Sequence, residues 1–578
     1  MKYEQIVMGR FLERPNRFIA YVNIPGVSDR EKVHVKNTGR CKELLTPGAE
    51  VYLEKGTNPE RSTAYDLVAV RKGDRLVNMD SQAPNKVVGE WLLKEELISD
   101  ISLIKPETTW GNSRFDFYVE SAEEKAFIEV KGVTLEEDGV VRFPDAPSER
   151  AVKHVEELIA AKKAGYKVYV IFVIQMKDVK YFLPNWGTQP AFGEALLKAR
   201  QAGVEIVSLD CYVTPDSLEI AERVPVYLEE REAVAAGLAD PLLEYYDAHR
   251  RILPWREEPT AYRVWVSEIM LQQTRVEAAK PYYERFMERL PTVQHLAAAE
   301  DEELYKLWEG LGYYSRVRNL KKAAQIICRE YGGRFPETYG QVLALPGIGE
   351  YTAGAILSIA FEQPEPAVDG NVLRVFSRLF ADPLEGKDSA VKKRVTGLLR
   401  DCYPLGRCGD FTQSLMELGA LICLPNGAPK CEECPLRGLC AANREGSWSL
   451  FPPQIKKAPR KLRQMTVLLL WSGEKLALRK REEKGVLSGM WELPNLEGYY
   501  SREELQGWLE EQGLCPGQIT PAATRKHIFT HLEWQMQSFC VSCGKEGEGF
   551  LWVDRETLDR EYSLPTAFRK FLDSTSQS

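Results

Sequence analysis

From about residue 236 to residue 445 the chain sets one helical period after another and gives almost no strand signal. DPLLEYYDAHRRI, AYRVWVSEIMLQQTRVEAAKPYYERFMERL and DEELYKLWEGLG repeat apolar residues at the spacing of one helix face. This block reads as all-helical and divides the chain into three. Before it, to about residue 230, FIAYVNIPG, VHVKNTG and AEVYLEKG alternate as strands do, which suggests a small β-barrel. AFIEVKGVT, SERAVKHVEELIAAKKAG and YKVYVIFVIQ then alternate strand and helix, an α/β unit. After the helical block, GSWSLFPPQIKKAPRKLRQ is rich in Pro and Lys/Arg and reads as a linker. Residues 463–574 return to an α+β pattern, and STSQS at the end is expected to fray. A chain of 578 residues has room for three or four domains at about 150 residues each.

No run of 18 or more apolar residues occurs, so no membrane span is expected. The first residues, MKYEQIVMGRFLERPNRF, lack the apolar core of a secretory signal, and a cytoplasmic location is expected. The formal net charge of -8 speaks mildly against a nucleic-acid binder, but an average over several domains hides a local basic face.

The helical block concentrates the chemistry. In VLALPGIGEYTAGAIL, two helices meet at Pro346-Gly347-Ile348-Gly349. Glycines there permit a tight turn and close approach, and the second helix's first N–H groups face a place for phosphate. The plain alternative is an ordinary helical hairpin. Asp369 precedes a Gly-Asn turn that opens a helix, where a carboxylate also serves as a simple N-cap. Glu268 lies in an apolar helix beside Ile269 and Met270. A Glu facing an apolar site keeps its proton and can act as a general acid; a lone helical Glu is more often merely exposed. Cys423, Cys431, Cys434 and Cys440 fall within eighteen residues as C-x7-C-x2-C-x5-C. Two disulfides, a zinc knuckle and an iron–sulfur cage are all open on spacing alone, although a reducing compartment argues against disulfides.

The order LPWR, SEIMLQQT, GLGYYSRVRNL, LPGIGEYTAGAIL, VDGN and a four-cysteine tail resembles the MutY adenine DNA glycosylases of the endonuclease III superfamily, over about 236–574. The resemblance implies a helix–hairpin–helix DNA clamp and hydrolysis of the adenine N-glycosidic bond. Relatives that also nick the strand carry a Lys where this chain has Tyr351, and a Tyr forms no imine. By resemblance, Glu268 protonates the leaving adenine, Asp369 stabilises the oxocarbenium-like sugar, and Tyr351 and Asn371 orient them. Glu417 matches a further adenine contact, Gln273 and Tyr313 match residues that enter the base stack, and Thr274, Trp255, Arg256, Gly347 and Gly349 fall in the matching motifs. The four cysteines match the family's [4Fe–4S] loop with one extra residue between Cys423 and Cys431, and Lys430 and Arg437 are offered to phosphate.

KLALRKREEKGVLSGMWELPNLEG resembles the start of a Nudix domain. The Glu-rich box of working Nudix hydrolases, G-x5-E-x7-R-E-U-x-E-E, does not fit SREELQGWLEEQG, so a fold without that hydrolysis is expected. In MutY relatives this domain senses 8-oxoguanine through a Phe-Ser-His loop; KHIFTHLEW supplies Phe529, Thr530 and His531. In the first block, Asp116, Glu129 and Lys131 form Asp-x12-Glu-x-Lys, similar to the PD-(D/E)xK nuclease core, in which two carboxylates bind Mg²⁺. NTGRCKELLTPG, FIEVKGVTL and RFPDAPSERAVKHVEEL together resemble the sugar fermentation stimulation (SfsA) family over roughly 1–230. That implies an OB-like barrel ahead of a nuclease-like domain, with Asn37, Thr38, Gly39 and Arg40 in a barrel loop that meets a phosphate backbone.

The expected architecture is therefore multidomain. An OB-like β-barrel (1–80) and an α/β nuclease-like domain (81–232) precede an all-α glycosylase with an iron–sulfur loop (236–445), a linker (446–462) and an α+β Nudix-like domain (463–574). The expected partner is double-stranded DNA holding adenine opposite 8-oxoguanine or guanine, met by a monomer. Two readings compete: a glycosylase for another mismatched base such as thymine, and a DNA-binding regulator with idle sites.

Overall fold

The computed structural model describes the chain except for residues 38, 59–60, 385–387, 454–458, 482–485, 488, 530–531 and 574–578, together with the side chains of 388 and 573. Two compact units emerge, Met1–Val234 and Ala235–Ser578.

In the first unit, strand alternation builds a barrel. Ile19–Ile24 buries Ala20, Val22 and Ile24 and turns the residues between them outward, the period of two that a one-sided sheet requires. Six strands between Ile6 and Asn78 form one sheet, and Ser28–Val35 pairs in parallel with Tyr65–Lys72, which closes the sheet on itself. A second six-stranded sheet follows. Its strand Lys167–Ile174 (KVYVIFVI) is buried from its second residue onward and runs parallel to both Lys125–Val133 and Glu205–Thr214. Such a continuous apolar run suits a strand covered on both faces. The crossover between Lys125–Val133 and Lys167–Ile174 carries helix Glu149–Lys163, capped by the Ser148 hydroxyl, which accepts from the Ala151 N–H.

In the second unit, helix Ala261–Leu271 is buried on nearly every side, as its largely apolar sequence demands. It packs on helix Glu350–Phe361, which is buried from Thr352 to Ser358. Trp265, Phe286 and Trp308 fill the core around them. Helix Cys408–Glu417 runs into a single π-turn, Leu418–Ile422, just before the four-cysteine segment. The remaining sequence forms a mixed seven-stranded sheet, in which Lys461–Ser472 pairs in parallel with Leu532–Cys543. This domain packs on the helices: Met490 is buried in the helical core, and the Leu564 N–H donates to Glu309 Oε1 at 3.3 Å. No helix among the described residues is long and apolar enough to cross a membrane.

Candidate active site

Helix Ala261–Leu271 carries Glu268 into the interior, where 6% of it is exposed. Burial pushes its carboxyl up to about 7; the Tyr351 hydroxyl, which donates to it, works against burial, and the nearby Asp369 charge works with it. Tyr351, in the first turn of helix Glu350–Phe361, is raised well above the usual phenol range by burial and by Glu268 and Asp369. Asp369 caps helix Gly370–Leu379, so the simple N-cap reading holds. Its Oδ1 accepts from the Asn371 and Val372 N–H groups at 2.9 Å each, and its Oδ2 accepts from Asn371 Nδ2 at 2.7 Å. That cap leaves the carboxylate within electrostatic reach of Glu268. Asn371 is in turn held by Arg374, whose Nη2 donates to Asn371 Oδ1 (3.0 Å) and to the Gly419 carbonyl (2.7 Å). Arg374 Nε reaches the Cys423 carbonyl at 2.9 Å.

Glu417 is fully buried and spent on a cluster of cations. Arg251 Nε and Nη2 and Arg256 Nη2 all donate to it, at 2.7–3.1 Å. Trp255 is a core residue packed edge-on to Tyr283. A cavity of about 470 Å³ opens beside these groups, lined by Arg250, Arg251, Leu253, Arg256 and Gln413 among others.

The turn at Gly347 needs its glycine. The residue sits at φ +80°, and a Cβ there would lie 2.7 Å from Asn319 Cβ. Gly349 is different: its backbone is extended, a Cβ would meet only open space, and it caps helix Glu350–Phe361 without a side chain. Gln273 (φ +59°) and Tyr313 (φ +49°) are both non-glycine residues in the left-handed region, with Tyr313 47% exposed. Strain of that kind collects at functional loops. Thr274 is half-buried beside Gln273, its N–H bonded to the Leu271 carbonyl at 3.2 Å.

Cys423, Cys431, Cys434 and Cys440 wall one cavity with Leu418, Leu436 and Trp448. Burial pushes Cys434 up to about 12 and raises Cys431 and Cys440, with the other thiols adding to the effect. Arg378 Nη1 donates to Cys423 Sγ at 3.3 Å, and the Cys440 thiol donates to the Arg378 carbonyl at 3.4 Å. Lys430 pairs with Glu433 and Arg437 with Glu432, so neither cation is idle.

In the C-terminal domain Phe529 stands edge-on to His527 and Trp534, with centroids 4.7 and 4.9 Å away. Its ring therefore packs beside the domain core. Thr530 and His531 lie outside the described residues. In the segment compared with the Nudix box, the Glu504 carboxylate closes a capping box with Ser501.

The first unit holds a second centre. Asp116 is raised by burial and by Glu129, and it accepts from the Val130 N–H and Asn85 Nδ2 at 2.7 Å each. Burial works to raise Glu129, but His154 and Lys131, both 2.5 Å from its Oε1, outweigh it and hold it low. Glu129 Oε2 is buried without a hydrogen-bond partner. In the barrel, Asn37 Oδ1 accepts from the Gly39 N–H and the Arg40 N–H donates to Asp145; Thr38 lies outside the described residues. Arg374, Arg251 and His154 escaped the sequence reading, although His154 lies inside SERAVKHVEEL and Arg374 is a basic residue in the apolar helical stretch NVLRVF; Arg251 sits outside any helix, and no sequence signal marks it.

Four family models match the chain in order. They are the SfsA N-terminal OB domain over residues 12–79, the sugar fermentation stimulation protein RE domain over 82–217, the HhH-GPD superfamily base excision DNA repair protein over 266–400, and the NUDIX domain over 466–574. Fold and matches define the class: a base-excision DNA glycosylase with a NUDIX domain, joined to an OB-plus-RE module. The sugar fermentation stimulation protein homologue of Clostridium beijerinckii is 58% identical over 228 residues, 39% of this chain and 100% of that protein. The homologue of Desulfitobacterium hafniense is 57% identical over 230 residues, 40% of this chain and 100% of that protein. Through its first unit the chain belongs to the sugar fermentation stimulation protein family. Among solved structures, Pyrococcus furiosus SfsA in complex with Ca²⁺ is 27% identical at TM-score 0.36 and covers 39% of this chain and 98% of its own. A thermostable thymine-DNA glycosylase is 30% identical at TM-score 0.34 and covers 37% and 98%.

Proposed function

We propose that the second unit is a monofunctional adenine DNA glycosylase acting on adenine opposite 8-oxoguanine or guanine. The observation that carries this reading is Glu268, a carboxyl raised to about 7 inside an apolar helix, hydrogen-bonded by Tyr351 and facing Asp369. Breaking an N-glycosidic bond leaves cationic character on the sugar and needs a proton on the departing base. Glu268 gives that proton, at N7, a step worth roughly 10²–10⁴-fold. Asp369, held by three hydrogen bonds, stabilises the sugar cation electrostatically. Tyr351 offers no amine to the sugar, so water completes the reaction and the strand stays intact. Flipping the base out costs a few kcal/mol, and Gln273 and Tyr313 fill the gap. The choice of adenine rests on the resemblance of the motifs and on the NUDIX domain, whose loop at Phe529 reads the opposite base.

The cysteines fit a [4Fe–4S] cluster. They wall one cavity with four soft thiol donors, the ligand type such a cluster takes. Cys423, Cys431, Cys434 and Cys440 would hold the cluster, which when bound supplies a rigid scaffold for the loop and no step of base hydrolysis. In the first unit we read a nucleic-acid-binding, Mg²⁺-dependent nuclease centre: Asp116 and the buried, unpartnered Oε2 of Glu129 would hold the ion, and Lys131 would orient a water. Mg²⁺ bound there supplies Lewis acidity to a phosphodiester. The protein works as a monomer on DNA in the cytoplasm.

The test is single-turnover incubation with duplexes holding adenine opposite 8-oxoguanine, guanine or thymine, and thymine opposite guanine, with and without hot alkali. Cleavage only after alkali, fastest for adenine opposite 8-oxoguanine, supports the reading. Release of thymine alone, or of no base, overturns it.

A further inference from the structure

Arg316 stands at the second position of helix Ser315–Glu330, where a cation opposes the helix dipole. It is nevertheless buried, with 9% exposed, and burial lowers it only to about 10, so it stays charged at neutral pH. Its hydrogen bonds explain the placement. Nη1 donates to the carbonyls of Ile269 (2.8 Å), Met270 (3.1 Å) and Gln272 (2.6 Å). Nη2 donates to the carbonyls of Leu311 (2.9 Å) and Gly312 (3.0 Å).

The first three carbonyls close the C-terminal end of helix Ala261–Leu271, which carries Glu268 and whose last carbonyls have no partner within the helix. The next residue is the strained Gln273. The other two carbonyls belong to the turn that leads directly into the strained Tyr313. One guanidinium thus spans both left-handed residues, and its planar fork suits two divergent sets of acceptors as an ammonium does not. The Tyr313 turn is also held from the far side, by Tyr314 Oη with Ser563 Oγ (3.4 Å) and by Glu309 with the Leu564 N–H.

We propose that Arg316 is a positioning residue that locks Gln273 and Tyr313 into one rigid pair, so that both enter the duplex together as the target base leaves. This rests on the base-extruding glycosylase reading above. Without the lock, each loop relaxes separately from its left-handed conformation, and gap filling no longer accompanies extrusion.

Two variants of the full chain test it, Arg316→Met and Arg316→Lys. Hydrogen exchange, read without DNA, is expected to quicken at residues 271–274 and 311–314 together in both variants, less in Arg316→Lys. Base release is then compared on two substrates, adenine paired opposite 8-oxoguanine and adenine already unpaired in a single-nucleotide bulge. Arg316→Met is expected to lose about a hundredfold on the paired duplex but less than about threefold on the bulge, because only the first requires the gap to be filled. Arg316→Lys falls between. Glu268→Gln, as control, loses equally on both and leaves exchange at 311–314 unchanged. Faster exchange in one loop only or in neither, or equal losses on both substrates, overturns the proposal. If Arg316→Met does not fold, Arg316→Lys decides by the same readings. If the wild type releases no adenine from any substrate, the glycosylase reading fails, and the exchange result still decides whether Arg316 locks the loops.

Discussion

At the scale of the residue, Glu268 sets stability against chemistry. Its folded pKa of about 7 stands above the value of about 4.3 in an unfolded chain. A carboxyl raised in this way stabilises the fold fully below pH 4 or so, and that contribution is lost as pH rises towards about 7. By pH 8 the folded protein holds an ionised, buried carboxylate, at a cost of up to about 4 kcal/mol. Glu268→Gln should therefore melt higher than the wild type at pH 8, and the difference should shrink towards pH 5, in parallel thermal scans. The same substitution should slow base release by roughly 10²–10⁴-fold. In the wild type the single-turnover rate should fall as pH rises through about 7, because the acid must carry its proton. A variant that is both less active and less stable at pH 8 would point to a structural role instead.

At the scale of the element, the helical hairpin separates two glycines that the sequence presents as equals. Gly347 is fixed by its positive φ and by Asn319, so Gly347→Ala should cost about 1–3 kcal/mol in urea unfolding. Gly349 has extended backbone and open space, so Gly349→Ala should leave stability within about 0.5 kcal/mol. It should instead weaken DNA binding, read as a higher Kd, since a methyl group stands where a phosphate would approach the helix N-terminus. The hairpin, the helix of Glu268 and the cap at Asp369 were legible in sequence because each is local: a turn, a period of 3.6, a carboxylate before Gly-Asn. What holds them was not legible. Arg316 caps a helix that ends some 45 residues earlier, Glu417 meets Arg251 and Arg256 across most of the helical block, and Arg374 reaches both Gly419 and Cys423. No pattern of spacing encodes such pairs, because tertiary packing alone brings them together. Strand alternation likewise announced the barrel but not the parallel pairing of Ser28–Val35 with Tyr65–Lys72 that closes it.

At the scale of the whole molecule, each unit packs on cores of its own, the first around Phe115, Phe172 and Phe192, the second around Trp265, Phe286 and Trp308 and, in its C-terminal sheet, around Trp534 and Phe568. Each should unfold with its own transition in calorimetry. A ligand stabilises the unit that binds it by RT ln(1 + [L]/Kd), so Mg²⁺ offers a way to tell the transitions apart. In the first unit Asp116 and Glu129 raise each other's electrostatic cost, and Glu129 Oε2 has no partner to offset its burial. A divalent cation held there as proposed would relieve both penalties at once. Adding Mg²⁺ or Ca²⁺ at about a hundred times its Kd should stabilise that unit by about 2.7 kcal/mol and move one transition upward. Asp116→Asn should abolish the shift while raising the metal-free transition, since it removes one of two facing buried charges. A shift in both transitions, or one that survives Asp116→Asn, would place the ion elsewhere.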